Sequence, residues 1–254
     1  MKKLILLLTC ITLCVLCGCK KQGEPYSPEN PKAVEYVFDC AGNRYPVVKI
    51  GSQLWMAENL KCDKYDTESE SYGKNVTCYK LSDELLKGAE DSLFIHIGVE
   101  KKESFSHFGY LYDWHTTVGI GGDTDIKQGI CPNGYHVPTM NEWNELINFC
   151  GGYKNALNKL KSKTEEWYNY GYGTDEYGFN MLPAGFGNSY TKDGKLEIRM
   201  HKYSVGLTTY FWSSTSISDY DAYGLTFKYF YNKEHEFNNF HKDDCFSVRC
   251  VKNQ

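Results

Sequence analysis

Cysteine is the residue type with the most chemistry to offer in this sequence. The 254 residues include 11 cysteines. A thiolate can attack an electrophile, bind a metal or exchange with a disulfide, and so many thiols are rarely kept reduced in the cytosol. The count therefore indicates an exported protein. Seven cysteines follow residue 35, an odd number that leaves at least one thiol over if the rest are paired. They are Cys40, Cys62, Cys78, Cys131, Cys150, Cys245 and Cys250.

The histidines and acidic residues form no recognisable metal-binding pattern. The seven histidines include no His-x-x-x-His pair, and His241–Cys245 gathers ligand types in one short segment, from which the tetrahedral ligation of zinc rarely arises. Gly121–Asp125 and Gly173–Glu176 place carboxylates beside glycines, which suits a plain turn or a structural calcium ion. We expect no metal and no cofactor, with structural calcium as the open alternative.

The sequence also lacks the local motifs of common enzymes. It contains no Gly-x-Ser-x-Gly elbow, phosphate-binding Gly-Lys-Ser/Thr loop or His-Glu-x-x-His helix. Exposed tyrosine and tryptophan offer rigid contact area for a ligand such as a sugar. The segment 167–172 is the best candidate for such a patch, with the ligand-contact candidates Trp167, Tyr168, Tyr170 and Tyr172. The alternative is that these rings pack a thin domain while each tyrosine hydroxyl reaches water.

An export signal accounts for the first residues. Lys2 and Lys3 precede an apolar run, Leu4–Leu16, whose helix of about 20 Å is too short for a hydrocarbon core of about 30 Å. Leu16-Cys17-Gly18-Cys19 resembles the lipobox of bacterial lipoproteins, which implies cleavage before Cys19 and a lipid on its thiol. We therefore predict a signal peptide over 1–18 and a membrane anchor at Cys19. Lys20 rather than Asp follows the anchor, which by the rules of that family favours the outer membrane.

The next segment, 19–35, is predicted to be a lipidated tether. Its prolines at 25, 28 and 31 and its very few apolar residues favour an extended spacer that lifts a domain off the membrane. Without residues 1–18 the chain has 26 basic and 32 acidic residues, a net charge of −6. This acidic balance excludes an electrostatic attraction to nucleic acid.

Residues 36–254 are predicted to form one α+β domain, irregular and built of short twisted antiparallel strands with two main helices. Thr139 and Glu142 have the spacing of a capping box at the start of a helix that Gly151 and Gly152 end. A second helix is predicted over 154–161, and a further one near 82–89. Strands are predicted at 36–38, 44–50, 223–231 and 246–251, with an extended continuation at 53–60.

Seven ordered blocks resemble the Fibrobacter succinogenes major paralogous domain. They begin at 39–60, where DCAGNRY is followed by VKIGSQLWMAENL, and end at SVRCV, 247–251. Between these lie FGYLYDW (108–114), GICPNGYHVPT (129–139), TDEYGF (174–179), LPAG (182–185) and FWSST (211–215). The chain departs from the pattern at 62–107, where it carries a longer insert. The resemblance implies a surface or exported lipoprotein and no particular activity. The last blocks are also similar to the end of the formylglycine-generating-enzyme and C-type-lectin-like folds.

The resemblance bears on the cysteines and on function. Because the family blocks include Cys131 and Cys250, these two are paired first. Cys62 with Cys78 and Cys150 with Cys245 are the other candidate disulfides, which leaves Cys40 over.

We hypothesise a membrane-anchored, surface-displayed binding or structural module that is not an enzyme, with an extracellular glycan or envelope protein as its partner. The alternative is an envelope oxidase or hydrolase related to formylglycine-generating enzymes. Cys245 and Cys250 match the spacing of their catalytic cysteines but lie further toward the C-terminus.

Overall fold

The structure is a computed structural model that describes residues 30–80, 105–120, 126–201, 204–230 and 237–254. The predicted signal peptide, Cys19, most of the tether, the predicted helix near 82–89 and the calcium candidate Gly121–Asp125 lie outside these residues. Within the described part of the chain, no helix has the length and apolar character needed to cross a membrane.

Short strands make up most of the regular structure, as β-branched and aromatic runs between turns predict. In chain order they are β1 (Ala33–Phe38), β2 (Arg44–Ile50), β3 (Gln53–Met56), β4 (Cys78–Lys80), β5 (Tyr110–Asp113), β6 (Tyr135–His136), β7 (Gly187–Lys192), β8 (Lys195–Met200), β9 (Thr208–Ser216), β10 (Asp221–Lys228), β11 (Phe237–His241), β12 (Asp244–Phe246) and β13 (Val251–Lys252). They pair antiparallel in sheets with the orders β1-β2-β3-β13-β6, β4-β5-β12-β7-β8 and β11-β10-β9. Strand β13 lies between β3 and β6, so the C-terminal end of the chain adds an inner strand to the sheet that the N-terminal strands begin.

Three α-helices accompany these strands among the described residues: α1 (Trp114–Val118), α2 (Met140–Phe149) and α3 (Tyr153–Leu160). The capping box predicted for α2 is present, because the Thr139 hydroxyl accepts from the backbone N–H of Glu142 while the Glu142 carboxylate accepts from that of Thr139. Both longer helices turn an apolar face inward. Two main helices among short antiparallel strands confirm the predicted α+β class.

The predicted strand at 246–251 is wrong. Strand β12 ends at Phe246 in one sheet, and β13 begins at Val251 in another. The residues between them cross from sheet to sheet through the interior, where Arg249 and Cys250 are fully buried. The predicted strand at 223–231 corresponds to β10, which starts two residues earlier and ends at Lys228.

The largest hydrophobic cluster lies between the two longer helices and the sheets that contain β2, β3, β9 and β10. Trp55 and Trp143 are in contact at its centre, with ring centroids 4.7 Å apart. Phe179 stands edge-on to Trp55 at 6.0 Å. This aromatic packing is the rigid support under the segment that contains Arg249.

Candidate functional site

Arg249 is a fully buried arginine at the point where the chain crosses between two sheets. Its guanidinium donates to Asn59 Oδ1 at 2.7 Å and to three backbone oxygens, those of Met56 at 3.1 Å, Phe179 at 2.6 Å and Asn180 at 2.9 Å. It also lies over the Phe179 ring, 4.5 Å from the centroid. The planar guanidinium therefore links residues 56–59 to residues 179–180. A lysine could not make these hydrogen bonds with the same geometry.

The charge on Arg249 is balanced by two half-buried acidic residues. Burial lowers the pKa of Arg249 to about 9, while the negative charges of Glu58 and Asp175 raise it. The guanidinium thus remains charged at neutral pH. A buried cation of this kind is costly without nearby negative charge, which gives a physical reason for two carboxylates on the same side of the fold.

These carboxylates line a pocket of about 160 Å³. Its walls combine acidic and amide side chains with small apolar surfaces. The lining residues are Asn30, Pro31, Pro46, Ala57, Glu58, Asp175 and Asn180. Ala57 and Glu58 directly follow β3, and Asp175 and Asn180 belong to the loop that Arg249 holds through the Asn180 carbonyl. The pocket therefore brings together the two segments that the buried arginine joins.

The loop of Asp175 and Asn180 has a strained backbone. Both residues adopt positive φ angles, 43° and 50°, which residues with a side chain rarely do. Asp175 Oδ1 accepts from the Asn180 backbone N–H at 2.8 Å. Burial raises the pKa of Asp175, and this effect exceeds the lowering by that hydrogen bond and by the charges of Lys32 and Arg249. Such strain persists only where the surrounding contacts hold the backbone in place, and it often marks a functional site.

The segment before β1 completes the pocket and ties down the loop. Lys32 Nζ donates to the carbonyls of Asp175 at 2.7 Å and Glu176 at 2.5 Å. Asn30 Nδ2 donates to the Gly178 carbonyl at 2.7 Å. A Cβ on Gly178 would come within 2.9 Å of both Asn30 and Lys32, and its φ is +73°, so this close approach requires glycine.

The parts of this arrangement that surround Arg249 lie in one recognisable domain. The model of the Fibrobacter succinogenes major domain family matches residues 48–252. The chain belongs to this family. No curated protein and no solved structure matches the chain significantly. Glu58, Asp175 and Arg249 fall inside the matched range of this Fibrobacter succinogenes major domain, whereas Asn30 and Lys32 precede it.

The aromatic segment predicted to contact a ligand is divided between core and surface. Trp167 is only 1% exposed, and its indole N–H donates to the Met181 carbonyl at 3.1 Å, so its prediction as a ligand-contact residue is wrong. Tyr168 is half-buried and stands edge-on to Tyr229, with centroids 5.3 Å apart. Tyr170 and Tyr172 are exposed, at 79% and 45%. Because aromatic residues are so frequent in this run, its sequence has no apolar and polar alternation that would indicate which side chain is buried.

Lys161 is buried against this segment and hydrogen-bonds to its backbone. Its Nζ, in a side chain buried to 3% exposure, donates to the carbonyls of Gly171 at 2.9 Å and Tyr229 at 3.0 Å. The same ammonium lies 4.3 Å from the centroid of the Trp167 ring. Burial lowers the pKa of Lys161 to about 7. The exposed rings of Tyr170 and Tyr172 are therefore presented on an anchored loop that continues to Asp175.

The metal candidates find no common centre in the described residues. Asp175, in the calcium candidate Gly173–Glu176, uses Oδ1 for its own loop. His241, the last residue of β11, pairs with Asp243 in the following turn at 3.3 Å, and both side chains are half-exposed. Across the described ranges, no three His, Cys, Asp or Glu side chains converge as a metal site would require.

The cysteines pair only in part as predicted. Cys131 and Cys250, the pair that the family resemblance implies, form a disulfide with an S–S distance of 2.03 Å. The candidate bonds Cys62 with Cys78 and Cys150 with Cys245 are absent, since all four are free thiols. Cys78 lies in β4 and Cys245 in β12, the two strands on either side of β5. Cys62 instead faces Cys40, the residue expected to be left over, at 3.8 Å between sulfurs.

Of the pocket residues, sequence reasoning singled out only Asp175, as part of the calcium candidate Gly173–Glu176. For Glu58, and for Asn59 and Arg249 behind it, the signal was their place inside the family blocks. Nothing in a single sequence indicates that residues about 190 positions apart meet, as Asn59 and Arg249 do.

Proposed function

We propose that this Fibrobacter succinogenes major domain is a non-enzymatic binding module, anchored in the outer membrane by a lipid on Cys19 and displayed to the exterior. Its ligand is an extracellular glycan, held in the pocket beside Arg249. The pocket itself is the observation that carries the proposal, because two carboxylates and amide groups line it beside proline and alanine surfaces. Sugar hydroxyls donate to carboxylate and amide oxygens, while the C–H faces of a sugar ring pack on apolar walls.

The charges of the pocket favour a neutral or cationic ligand over an anion. Glu58 and Asp175 are acidic and half-buried, whereas Arg249 is fully buried and engaged by four acceptors. Tyr172 is three residues from Asp175 on the same loop, so its exposed ring offers a further contact for a longer saccharide.

We further propose that the architecture is C-type-lectin-like and related to the formylglycine-generating-enzyme fold. Two main helices with small irregular sheets support this assignment. Fold alone does not give activity, and the cysteine chemistry of those enzymes has little support in this chain. Cys250 is engaged with Cys131, and Cys245 is fully buried with its pKa raised mainly by that burial.

A glycan array probed with the full-length protein in detergent micelles tests the proposal. Saturable binding is expected, and Glu58→Gln and Asp175→Asn should each weaken it at least about tenfold, the worth of one charged hydrogen bond. Glu165→Gln, at an exposed acid outside the pocket, is the matched control. If both pocket variants bind glycan as tightly as the natural protein, the binding site lies elsewhere. If the protein binds no glycan but captures an envelope protein, the ligand is a protein and not a glycan.

The anchor is tested separately. Cys19→Ala should abolish incorporation of a radiolabelled fatty acid and release the protein from the membrane fraction. Labelling that persists in the variant would refute a lipid on Cys19.

A further inference from the structure

Two of the free thiols are neighbours. Cys40 Sγ lies 3.8 Å from Cys62 Sγ, close to contact between two unbonded sulfurs. Cys40 is exposed in the turn between β1 and β2, whereas Cys62 is 1% exposed. The sulfurs must approach by less than 2 Å to reach a bond of about 2.0 Å.

The two segments are held together independently of their sulfurs. Asp39 Oδ1 accepts from the backbone N–H groups of Ala41 and Asn43, both at 2.9 Å, which fixes the turn. Asp39 Oδ2 accepts from the Tyr45 hydroxyl at 2.7 Å, and that hydroxyl oxygen accepts from the Lys61 N–H at 3.0 Å.

On the other side of the pair, the backbone of Cys62 is held by Tyr112. The Tyr112 hydroxyl accepts from the Cys62 N–H at 3.0 Å and donates to the Cys62 carbonyl at 2.7 Å. The turn and the Cys62 segment thus meet at a fixed position, so the entropy of bringing the thiols together is already lost on folding.

We propose that Cys40 and Cys62 form a second, reversible disulfide, with exposed Cys40 as the thiol that first reacts with an external disulfide. The oxidant is a low-molecular-weight disulfide such as glutathione disulfide, or the active-site disulfide of an oxidoreductase. The Cys40 thiolate attacks one sulfur of that oxidant, which forms a mixed disulfide and releases one thiol. The Cys62 thiolate then attacks Cys40 Sγ, which forms the Cys40–Cys62 bond and releases the second thiol. The protein loses two protons and two electrons, and the external disulfide gains them.

This bond differs in access from the disulfide between Cys131 and Cys250, both of whose residues are fully buried. Burial raises the pKa of Cys40 and that of Cys62, so the thiolate fraction is small and oxidation is slow at neutral pH. An exposed sulfur on one side also leaves the finished bond open to an external dithiol. On this proposal the domain combines the buried Cys131–Cys250 disulfide with a second bond that responds to the redox state outside the domain.

The test uses the full-length protein in detergent micelles, treated with glutathione disulfide, alkylated and digested without reduction. Mass spectrometry should find a peptide pair linked through Cys40 and Cys62, lighter than the free peptides by two hydrogen atoms. Alkylated thiols among the seven domain cysteines should fall from five to three. The linked pair in the protein as purified supports the proposal equally. Both cysteines alkylated after oxidation, or Cys62 linked to Cys78, would overturn it.

Single variants test the order of the two steps. Cys62→Ser should accumulate glutathione on Cys40, since no partner resolves the mixed disulfide. Cys40→Ser, at an exposed position, should leave Cys62 reduced. Cys78→Ser is the matched control and should leave the link unchanged. Glutathione on Cys62 rather than on Cys40 would contradict the proposed entry point.

Discussion

Arg249 Nε donates a 2.7 Å hydrogen bond to Asn59 Oδ1, and both side chains are buried. Asn59 in turn donates through Nδ2 to the Phe108 carbonyl at 2.8 Å and to Ser247 Oγ at 3.2 Å. One buried pair therefore connects the end of β3, the turn before β5 and the crossing segment. Since Glu58 adjoins Asn59, the same pair fixes one wall of the pocket.

Replacing Arg249 should destabilise the fold strongly. Arg249→Ala leaves the Asn59 amide oxygen and three backbone carbonyls without a donor, so we expect a loss of about 3 kcal/mol or more in the free energy of unfolding. Arg249→Lys should recover only part of this, because a lysine cannot reproduce the planar fork. Urea unfolding followed by tryptophan fluorescence measures both. Arg199→Lys, on the exposed side of β8, is the control, and a loss under about 0.5 kcal/mol for Arg249→Ala would contradict the role given to the pair.

The Cys131–Cys250 disulfide should be the largest single covalent contribution to stability. Its cysteines are 119 positions apart, and a loop of that length is worth about 4 to 5 kcal/mol on the chain-entropy estimate. The double variant Cys131→Ser/Cys250→Ser should therefore unfold at a clearly lower denaturant concentration. Reductant should lower the midpoint of the natural protein and leave that of the double variant unchanged. Equal midpoints for both proteins without reductant would contradict the estimate.

Local signals in the sequence proved more reliable than long-range ones. The capping box of Thr139 and Glu142 depends on residues three positions apart, and the helix that it starts is present. The second helix begins at Tyr153, one residue before the predicted start. By contrast, no periodicity indicates that the chain between Phe246 and Val251 leaves one sheet for another, because that choice is made by partners far away in the sequence.

The cysteines illustrate the same limit. The pair of Cys131 and Cys250 followed from a family resemblance that covers both residues. The proximity of Cys40 to Cys62 depends on the packing of the first turn against the segment after Leu60, which the Asp39 and Tyr45 side chains fix. Spacing alone favoured Cys78 as the partner of Cys62 and was wrong.

The stability contributed by His136 should depend on pH. His136 Nε2 faces Glu142 Oε1 at 2.8 Å, and Nδ1 faces Asn253 Oδ1 at 2.7 Å. Burial lowers the pKa of His136, but these hydrogen bonds outweigh it and raise the pKa above its ordinary 6.5. Burial raises the pKa of Glu142, yet His136 and Thr139 bring it below its ordinary 4.5.

The two shifts define a pH window. A raised histidine pKa stabilises the fold below 6.5, and this contribution is lost as the pH rises through the folded-state value. A lowered glutamate pKa stabilises it above 4.5 and is lost as the pH falls. The stability difference between the natural protein and His136→Gln should therefore be greatest near about pH 5.5, at about 1.5 kcal/mol, and shrink above about pH 7. Urea midpoints at several pH values measure it, with His115→Gln, at an exposed histidine, as control. A difference that does not vary with pH would exclude an ionised pair.

Replacement by serine should destabilise the protein at Trp167 and leave its stability nearly unchanged at Tyr170. Trp167 fills the core in contact with Lys161 and donates a hydrogen bond to the Met181 carbonyl. Trp167→Ser should therefore cost about 3 to 5 kcal/mol and lower ligand affinity only through unfolding. Tyr170 is 79% exposed, so Tyr170→Ser should change stability by less than about 0.5 kcal/mol. Any loss of glycan binding in Tyr170→Ser at full folding then reports a direct contact. Thermal unfolding and the glycan assay on the same samples separate the two effects, and a folded Trp167→Ser variant of normal stability would contradict the placement of that ring in the core.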